Sequence, residues 1–301
     1  MNRQEVIGYL WVAFLVLVLG VIVLPRIGLP CDSQSYGLVN RTITPTASLH
    51  ITNKPAGIAY NGPPTTAIAG YYCVYNATVA SVGYVNCTYV YMNGVLISST
   101  CTFNPRPQVY YPPGYTIQLN AELSNGYWLQ NAYGGAYEVV NGQLVILVFE
   151  QTWGVQGVLS TLTGPPAKPC GWLVISIRGG TAYFGYSSDG RVITWYASYP
   201  VGDALIVNGS YTNLVIAGPG DGAGVDFKSL YVVLAMWYWN GTAWVPAPVV
   251  PGGASGEYVL DAWVYTGANE AVVTWPEPAG VVLIPVVPPP HYGLVTRIVC
   301  E

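Results

Sequence analysis

From Thr116 to Leu123, apolar Ile117, Leu119, Ala121 and Leu123 alternate with polar Gln118, Asn120 and Glu122. That period of two predicts a strand with one face in the core and the other in water. Leu144 to Phe149 is apolar throughout, as a strand covered on both faces would be. Leu173–Ile177, Val192–Tyr199, Leu230–Trp239, Tyr258–Tyr265 and Val281–Val287 repeat one pattern or the other. Between such runs stand Asn93-Gly94, Asn125-Gly126, Asn141-Gly142, Asp189-Gly190, Asn208-Gly209 and Asn240-Gly241, pairs that accept the positive φ of tight turns. No helical period is found after residue 30, so the pattern predicts an all-β body. Three prolines within Gly164–Pro169 disfavour a paired strand and a helix alike. They suggest a boundary between two β-sandwich-like halves, an N-terminal β domain over 31–163 and a C-terminal one over 170–301. A Pro-rich tail, Pro285–Pro290, then precedes Tyr292–Val299, a segment able to add an edge strand to either half or to a neighbour.

Residues 1–30 stand apart. Val6 to Leu24 is uncharged, with Arg3 before it and Pro25-Arg26 after it. At about 1.5 Å per residue a helix of that length nearly crosses the hydrocarbon core. The segment reads as a transmembrane anchor or a signal helix, with membrane contact through residues 6–24. No convincing small-x-small cleavage site follows it. Arg3 inside would place the body outside. Sequons at Asn40, Asn76, Asn86, Asn208 and Asn240 fit that compartment as acceptors for surface glycosylation. Cysteines at 31, 73, 87, 101, 170 and 300 show no metal-ligand spacing, so disulfides are expected in an oxidising environment. Their connectivity is open; a Cys31–Cys300 pair would tie down both ends.

Composition sharpens this picture. Twenty-five Tyr, ten Trp and 35 Gly favour twisted sheets with tight turns. Charged residues make up 8% of the chain, and the basic ones are scattered singly, which excludes a nucleic-acid footprint. So few titratable groups leave little folding free energy tied to proton binding, which suits an acidic habitat. His50 and His291 lie in no zinc pattern, and no nucleophile elbow accompanies them. Trp237-Tyr238-Trp239 with Trp244 reads as stacked strand aromatics in a core rather than a ligand groove.

Pro55–Ala59, Thr116-Ile-Gln-Leu-Asn120, Tyr127–Asn131, Phe149-Glu-Gln-Thr-Trp153, Leu214–Gly222, Phe227–Leu230, Met236–Asn240 and Gly253-Ala-Ser-Gly-Glu257 stand in an order that resembles the thermopsins, a family of archaeal acid proteases. The resemblance covers about residues 50 to 275. It implies a secreted or surface-bound endopeptidase acting on polypeptides in hot acid, with no metal and no cofactor. Two carboxyls sharing one proton would do the chemistry, the ionised one activating water and the protonated one polarising the scissile carbonyl.

Glu150 is the first candidate, because it closes an apolar run where desolvation would raise its pKa and matches a family acid. Glu257 matches an acid in the Gly-rich C-terminal block. Asp221, in Gly218-Pro-Gly-Asp-Gly222, and Asp189, in an Asp-Gly turn, are weaker candidates, since Asp is common in turns for conformational reasons. The chain departs from the family at three acidic positions: Ala254 or Ser255 before Glu257, Ala67-Ile68-Ala69, and Asn131. If one of these supplied half of the pair, the alternative is a non-catalytic surface, filament or viral envelope glycoprotein on the same scaffold.

Overall fold

A computed structural model describes residues 41–93 and 95–291. The apolar segment at 6–24, the Asn40 sequon, Cys31, Cys300 and the Tyr292–Val299 segment lie outside the described residues. Within them the chain is all-β. The strands are β1 (Thr42–Ile43), β2 (Ala47–Lys54), β3 (Ala56–Tyr60), β4 (Ala67–Met92), β5 (Val95–Pro105), β6 (Thr116–Glu122) and β7 (Trp128–Val140). There follow β8 (Gln143–Gly154), β9 (Gly157–Pro166), β10 (Cys170–Arg178), β11 (Thr181–Ser187), β12 (Thr194–Pro200) and β13 (Gly209–Ala217). The last are β14 (Ala223–Trp239), β15 (Trp244–Pro246), β16 (Val249–Pro251), β17 (Tyr258–Thr266), β18 (Glu270–Trp275) and β19 (Ile284–Pro285). Among the described residues no helix is long and apolar enough to cross a membrane.

The expected division at Gly164–Pro169 does not organise these strands. A ten-stranded sheet runs β12-β11-β10-β4-β14-β18-β17-β2, with β5 and β15 added on β4 and β14. A seven-stranded sheet runs β16-β3-β13-β6-β7-β8-β9. Each takes strands from both sides of the proposed boundary, because β4 lies between β10 and β14 and β13 pairs with β6. The proline cluster itself carries strand: β9 runs to Pro166 at the end of the seven-stranded sheet, where a missing N–H leaves no ladder bond unmade.

The two sheets share one core. Ile58, Ile117, Leu119 and Leu214 of the seven-stranded sheet face Ile68, Tyr72, Leu173, Ile175, Leu234 and Met236 of the other. Gly70 lets the sheets approach, since a Cβ there would lie 2.9 Å from Leu214 Cδ1 and 3.2 Å from Leu119 Cδ1. A second, smaller core lies on the opposite face of the ten-stranded sheet, where Ile284 and Val287 cluster with Trp172, Val233, Trp237 and Val272. The expected strand at Val281–Val287 is thus only the two residues of β19, paired with β1. Trp237 is buried there, as core packing of the aromatic cluster predicts.

Two expectations from patterning are corrected. Leu144 is 52% exposed, so β8 is covered only from Leu147 onward. The polar face of β6 is not in water: Thr116, Gln118 and Asn120 are at most 1% exposed. Alternation reports which residues share a face, not what covers it.

Disulfides join Cys73 to Cys170 and Cys87 to Cys101. Both link residues directly opposite each other, on β4–β10 and β4–β5. Such bonds form and persist in oxidising compartments. Asn76, Asn86, Asn208 and Asn240 are all exposed.

Candidate functional site

Side chains directly opposite across a sheet share a face, and neighbours along a strand point to opposite faces. That rule decides the relation between the two leading acids. Glu150 on β8 pairs with Asn131 on β7, which pairs with Leu119 on β6, so Glu150 lies on the core face. Glu257 accepts a hydrogen bond from Gln118, the neighbour of Leu119 that faces the other way. Glu150 and Glu257 therefore stand on opposite faces of one sheet and share no proton.

Glu150 is 1% exposed and well satisfied. Ser160 Oγ donates to its Oε1 at 2.6 Å and Thr152 Oγ1 to its Oε2 at 3.2 Å. Burial raises its pKa, opposed by these hydrogen bonds and one from the Leu162 backbone. Beside it, Asn131 donates to the carbonyls of Val174 and Gly185 at 2.9 Å each and accepts from the Tyr196 hydroxyl at 2.8 Å. This cluster ties β7 to the facing sheet and is sealed from substrate.

Asp189 and Asp221 hold turns. Asp189 Oδ1 accepts from the Arg191 and Val192 N–H groups at 2.8 and 3.2 Å and from Ser187 Oγ at 3.0 Å. Asp221 has φ +53° and is exposed, with the Tyr111 hydroxyl 3.4 Å from Oδ2. Neither meets another of the four candidate acids in a hydrogen bond.

What the structure does bring together is Thr116–Asn120 and Gly253–Glu257, two segments singled out separately in the sequence. Their hydrogen bonds have one forced polarity. Asn213 Nδ2 donates to the carbonyls of Ser210 and Ala254 at 2.6 and 2.8 Å, which turns its Oδ1 toward Asn120. Asn120 Nδ2 then donates to Asn213 Oδ1 at 2.9 Å and to Gln118 Oε1 at 3.2 Å. Gln118 is left with its amino group, which donates to Thr116 Oγ1 at 2.8 Å and to Glu257 Oε2 at 3.0 Å. Thr116 Oγ1 passes its own proton to the Gly218 carbonyl at 2.8 Å, and Ser255 Oγ is a second donor to Glu257 Oε2 at 3.2 Å. Backbone carbonyls thus fix the Gln118 amide as a donor aimed at one carboxylate.

Gly253 makes the approach possible, because a Cβ there would lie 2.5 Å from Val215 Cγ1 and 3.2 Å from Asn213 Cγ. Gln118 is fully buried, while Glu257 is half-buried in its loop. Sequence reading found Glu257 but passed over Gln118, whose type carries no charge and whose position looked like a wet strand face.

Two further carboxyls are raised in pKa. Glu270, 4% exposed, is raised by burial against backbone donors that include the Asn269 N–H. Asp226 is raised by burial and then by the Asp261 charge. Asp261 lies 3.3 Å from His50 Nε2, both about two-fifths exposed, and His50 stacks on Trp263. That pair of aspartates sits on the open outer face of the ten-stranded sheet, where water screens it. The surface cavities lined by Thr66, Ser124 and Asp203 and by Pro64, Trp239 and Asn240 include none of the candidate acids.

A carboxyl whose folded pKa lies above its unfolded value stabilises the fold below the unfolded value, and the contribution is lost as pH rises through the folded pKa. Glu150, Asp226 and Glu270 all shift in that direction, so the fold gains from acid. Glu150→Gln with Glu270→Gln is expected to flatten the fall in melting temperature between about pH 3 and about pH 7. Calorimetry across that range checks it, and an unchanged slope would place the dependence elsewhere.

No family model matches the chain, and no curated protein does. Among solved structures it is similar to a functionally unknown protein from Saccharomyces cerevisiae, at 10% identity and a TM-score of 0.26, over 83% of this chain and 94% of that one. A likeness that low carries no argument about fold or function.

Proposed function

We propose that the chain is an extracytoplasmic, thermopsin-like acid endopeptidase whose hydrolytic centre is Glu257 with Gln118, in place of two carboxyls sharing a proton. The observation that supports this most is the 3.0 Å contact between a half-buried carboxylate and an amide held as a donor by its own network. Glu257 takes a proton from a water as that water's oxygen attacks the scissile carbonyl carbon. Gln118 spends its two amide N–H groups on Thr116 Oγ1 and Glu257 Oε2, so its role is to hold and orient the carboxylate. Glu257 then returns the proton to the departing amine as the C–N bond breaks. Asn120 and Asn213 are positioning residues. Raised pKa values at Glu150, Asp226 and Glu270 support work in acid. Hydrolysis of a denatured protein by the full chain in hot acid, with and without Glu257→Gln, tests this reading.

One feature favours a second reading, a non-catalytic surface glycoprotein that assembles. The last β4 residue paired with β14 is Tyr84, and among the described residues β5 pairs with β4 alone. Beyond that point the two strands form an arm, cross-linked by Cys87–Cys101, with Val90, Tyr91, Met92, Val95 and Ile97 exposed. No charged residue occurs from Pro55 to Pro105. A two-stranded ribbon is marginal in water, and a clustered apolar tip marks an interaction surface. Under this reading, Tyr91→Ser with Met92→Ser and Val95→Ser converts assemblies to monomers in sedimentation velocity. A wild type that is monomeric at high concentration would reject it.

A further inference from the structure

Two hairpins leave the body at one end. β13 ends at Ala217 and β14 begins at Ala223, and the turn between them marks that end. The β4–β5 arm runs on past Ala223, which stands opposite Tyr84, and the β7–β8 hairpin runs on past Thr116, which stands opposite Ala217. Tyr111, its hydroxyl 3.4 Å from Asp221 Oδ2 in the same turn, is within electrostatic reach of Tyr84 at the root of the arm and of Tyr137 in the hairpin.

Both ribbons are apolar on their two faces. Tyr91 and Met92 are neighbours along β4, so they point to opposite faces, and they are 62% and 63% exposed. In the shorter hairpin Val139 and Leu144 share one face and Val140 takes the other, all three exposed. No charged residue or histidine occurs from Pro55 to Pro105 or from Val139 to Phe149. A protein partner covers one face of a ribbon and takes its register from charged and polar groups. A fluid apolar medium closes round a tip on every side, and two tips of like make suit a surface. We infer that this end of the molecule docks on a lipid bilayer, the arm tip from Val90 to Ile97 entering between the headgroups. The inference goes beyond the endopeptidase reading, which gives the arm no role, and replaces the second copy of the assembling reading by lipid.

The backbone sets the depth. Val90 to Met92, with Val95 to Ile97 beside them, takes up about 10 Å at roughly 3.3 Å per residue, within the range of about 5 to 10 Å that interfacial elements enter. Among the described residues the outer edges of the arm pair with no other strand, and hydrocarbon cannot satisfy their N–H and C=O groups. The tip therefore stops at the boundary of headgroups and acyl chains, where Asn93 still meets polar partners. Tyr91, an apolar ring with a polar hydroxyl, suits that boundary. The arm reaches about 26 Å past Tyr84 and the hairpin about 13 Å past Ala136, so a leaning arm lets both meet one surface.

The test mixes the full chain with phosphatidylcholine vesicles and follows hydrogen exchange of the arm by mass spectrometry, a local readout that other membrane contacts of the chain do not supply. Vesicles are expected to slow exchange from Val90 to Ile97 by at least roughly tenfold, the factor that burying one apolar side chain is worth. Tyr91→Ser with Met92→Ser and Val95→Ser removes the slowing and leaves the melting temperature of the body unchanged. High salt and anionic lipid do not alter it, because the tip carries no charge. Glu257→Gln does not alter it either, which separates the inference from the hydrolytic centre. Slowing that appears without vesicles as protein concentration rises means that a second copy covers the arm, and overturns the inference. Exchange that vesicles leave unmoved overturns it too, as does slowing that needs anionic lipid and vanishes in salt.

Discussion

Glu257→Gln is expected to lower hydrolysis of a denatured protein at about pH 3 by roughly two to four orders of magnitude, the usual worth of a general base. The replacement keeps the size of the side chain and its contact with Ser255, so the loop at Gly253–Glu257 should stay in place. Gln118→Leu is expected to lower kcat by up to about two orders of magnitude, as misplacing a catalytic group by about 1 Å does. It also leaves Glu257 without one of its two side-chain donors and Asn120 without one of its two acceptors, so its melting temperature must be read beside its rate. Two controls give the result its meaning. Glu150→Gln removes a carboxyl on the far face of the same sheet, and Asp261→Asn breaks the only aspartate pair in which one charge is seen to act on the other among the described residues. Both are expected to keep full activity. If Glu257→Gln keeps activity and either control loses it, the centre lies at that control residue; if no chain cleaves, the assembling-glycoprotein reading takes precedence.

The second large effect is on stability. Cys73 and Cys170 are 97 residues apart in sequence and directly opposite on β4 and β10. Closing a loop of that length in the unfolded chain is worth about 4 to 5 kcal/mol in the chain-entropy account. Cys73→Ala with Cys170→Ala is therefore expected to lower the melting temperature by roughly 8 to 10 °C for a body of this size. The Cys87–Cys101 bond closes a separation of only 14 and lies in the arm. Its loss, although worth about 3 kcal/mol by the same account, should be felt as local opening of the arm, because among the described residues β5 pairs with β4 alone. Thermal melts of both double variants, with hydrogen exchange of the arm, distinguish these outcomes. Equal drops in global melting temperature would show that the arm unfolds together with the body.

Much of the local structure was legible. The turn at Asn141-Gly142 could be read from two residues, and both have positive φ, 51° and 78°, because that dipeptide accepts what a tight hairpin demands. Ile117, Leu119 and Ala121 are fully buried, as their alternation requires. Glu150 was legible as desolvated, since an acid closing an apolar run has little chance of reaching water. Its partners were not legible: Ser160 and Thr152 are donors to a structural carboxyl, and nothing in their spacing separates that role from catalysis.

Sequence by itself determined the material of this protein: strands, where they turn, which side chains share a face, and a sparsely charged surface with cysteines suited to oxidation. Those properties depend on residues a few positions apart, so local chemistry fixes them. Which strands become neighbours depends on packing between segments a hundred residues apart, and only the tertiary structure decided it. It set β4 between β10 and β14, covered the polar face of β6, put Glu150 and Glu257 on opposite sides of one sheet, and brought Gln118 within 3.0 Å of Glu257 across 139 residues of chain.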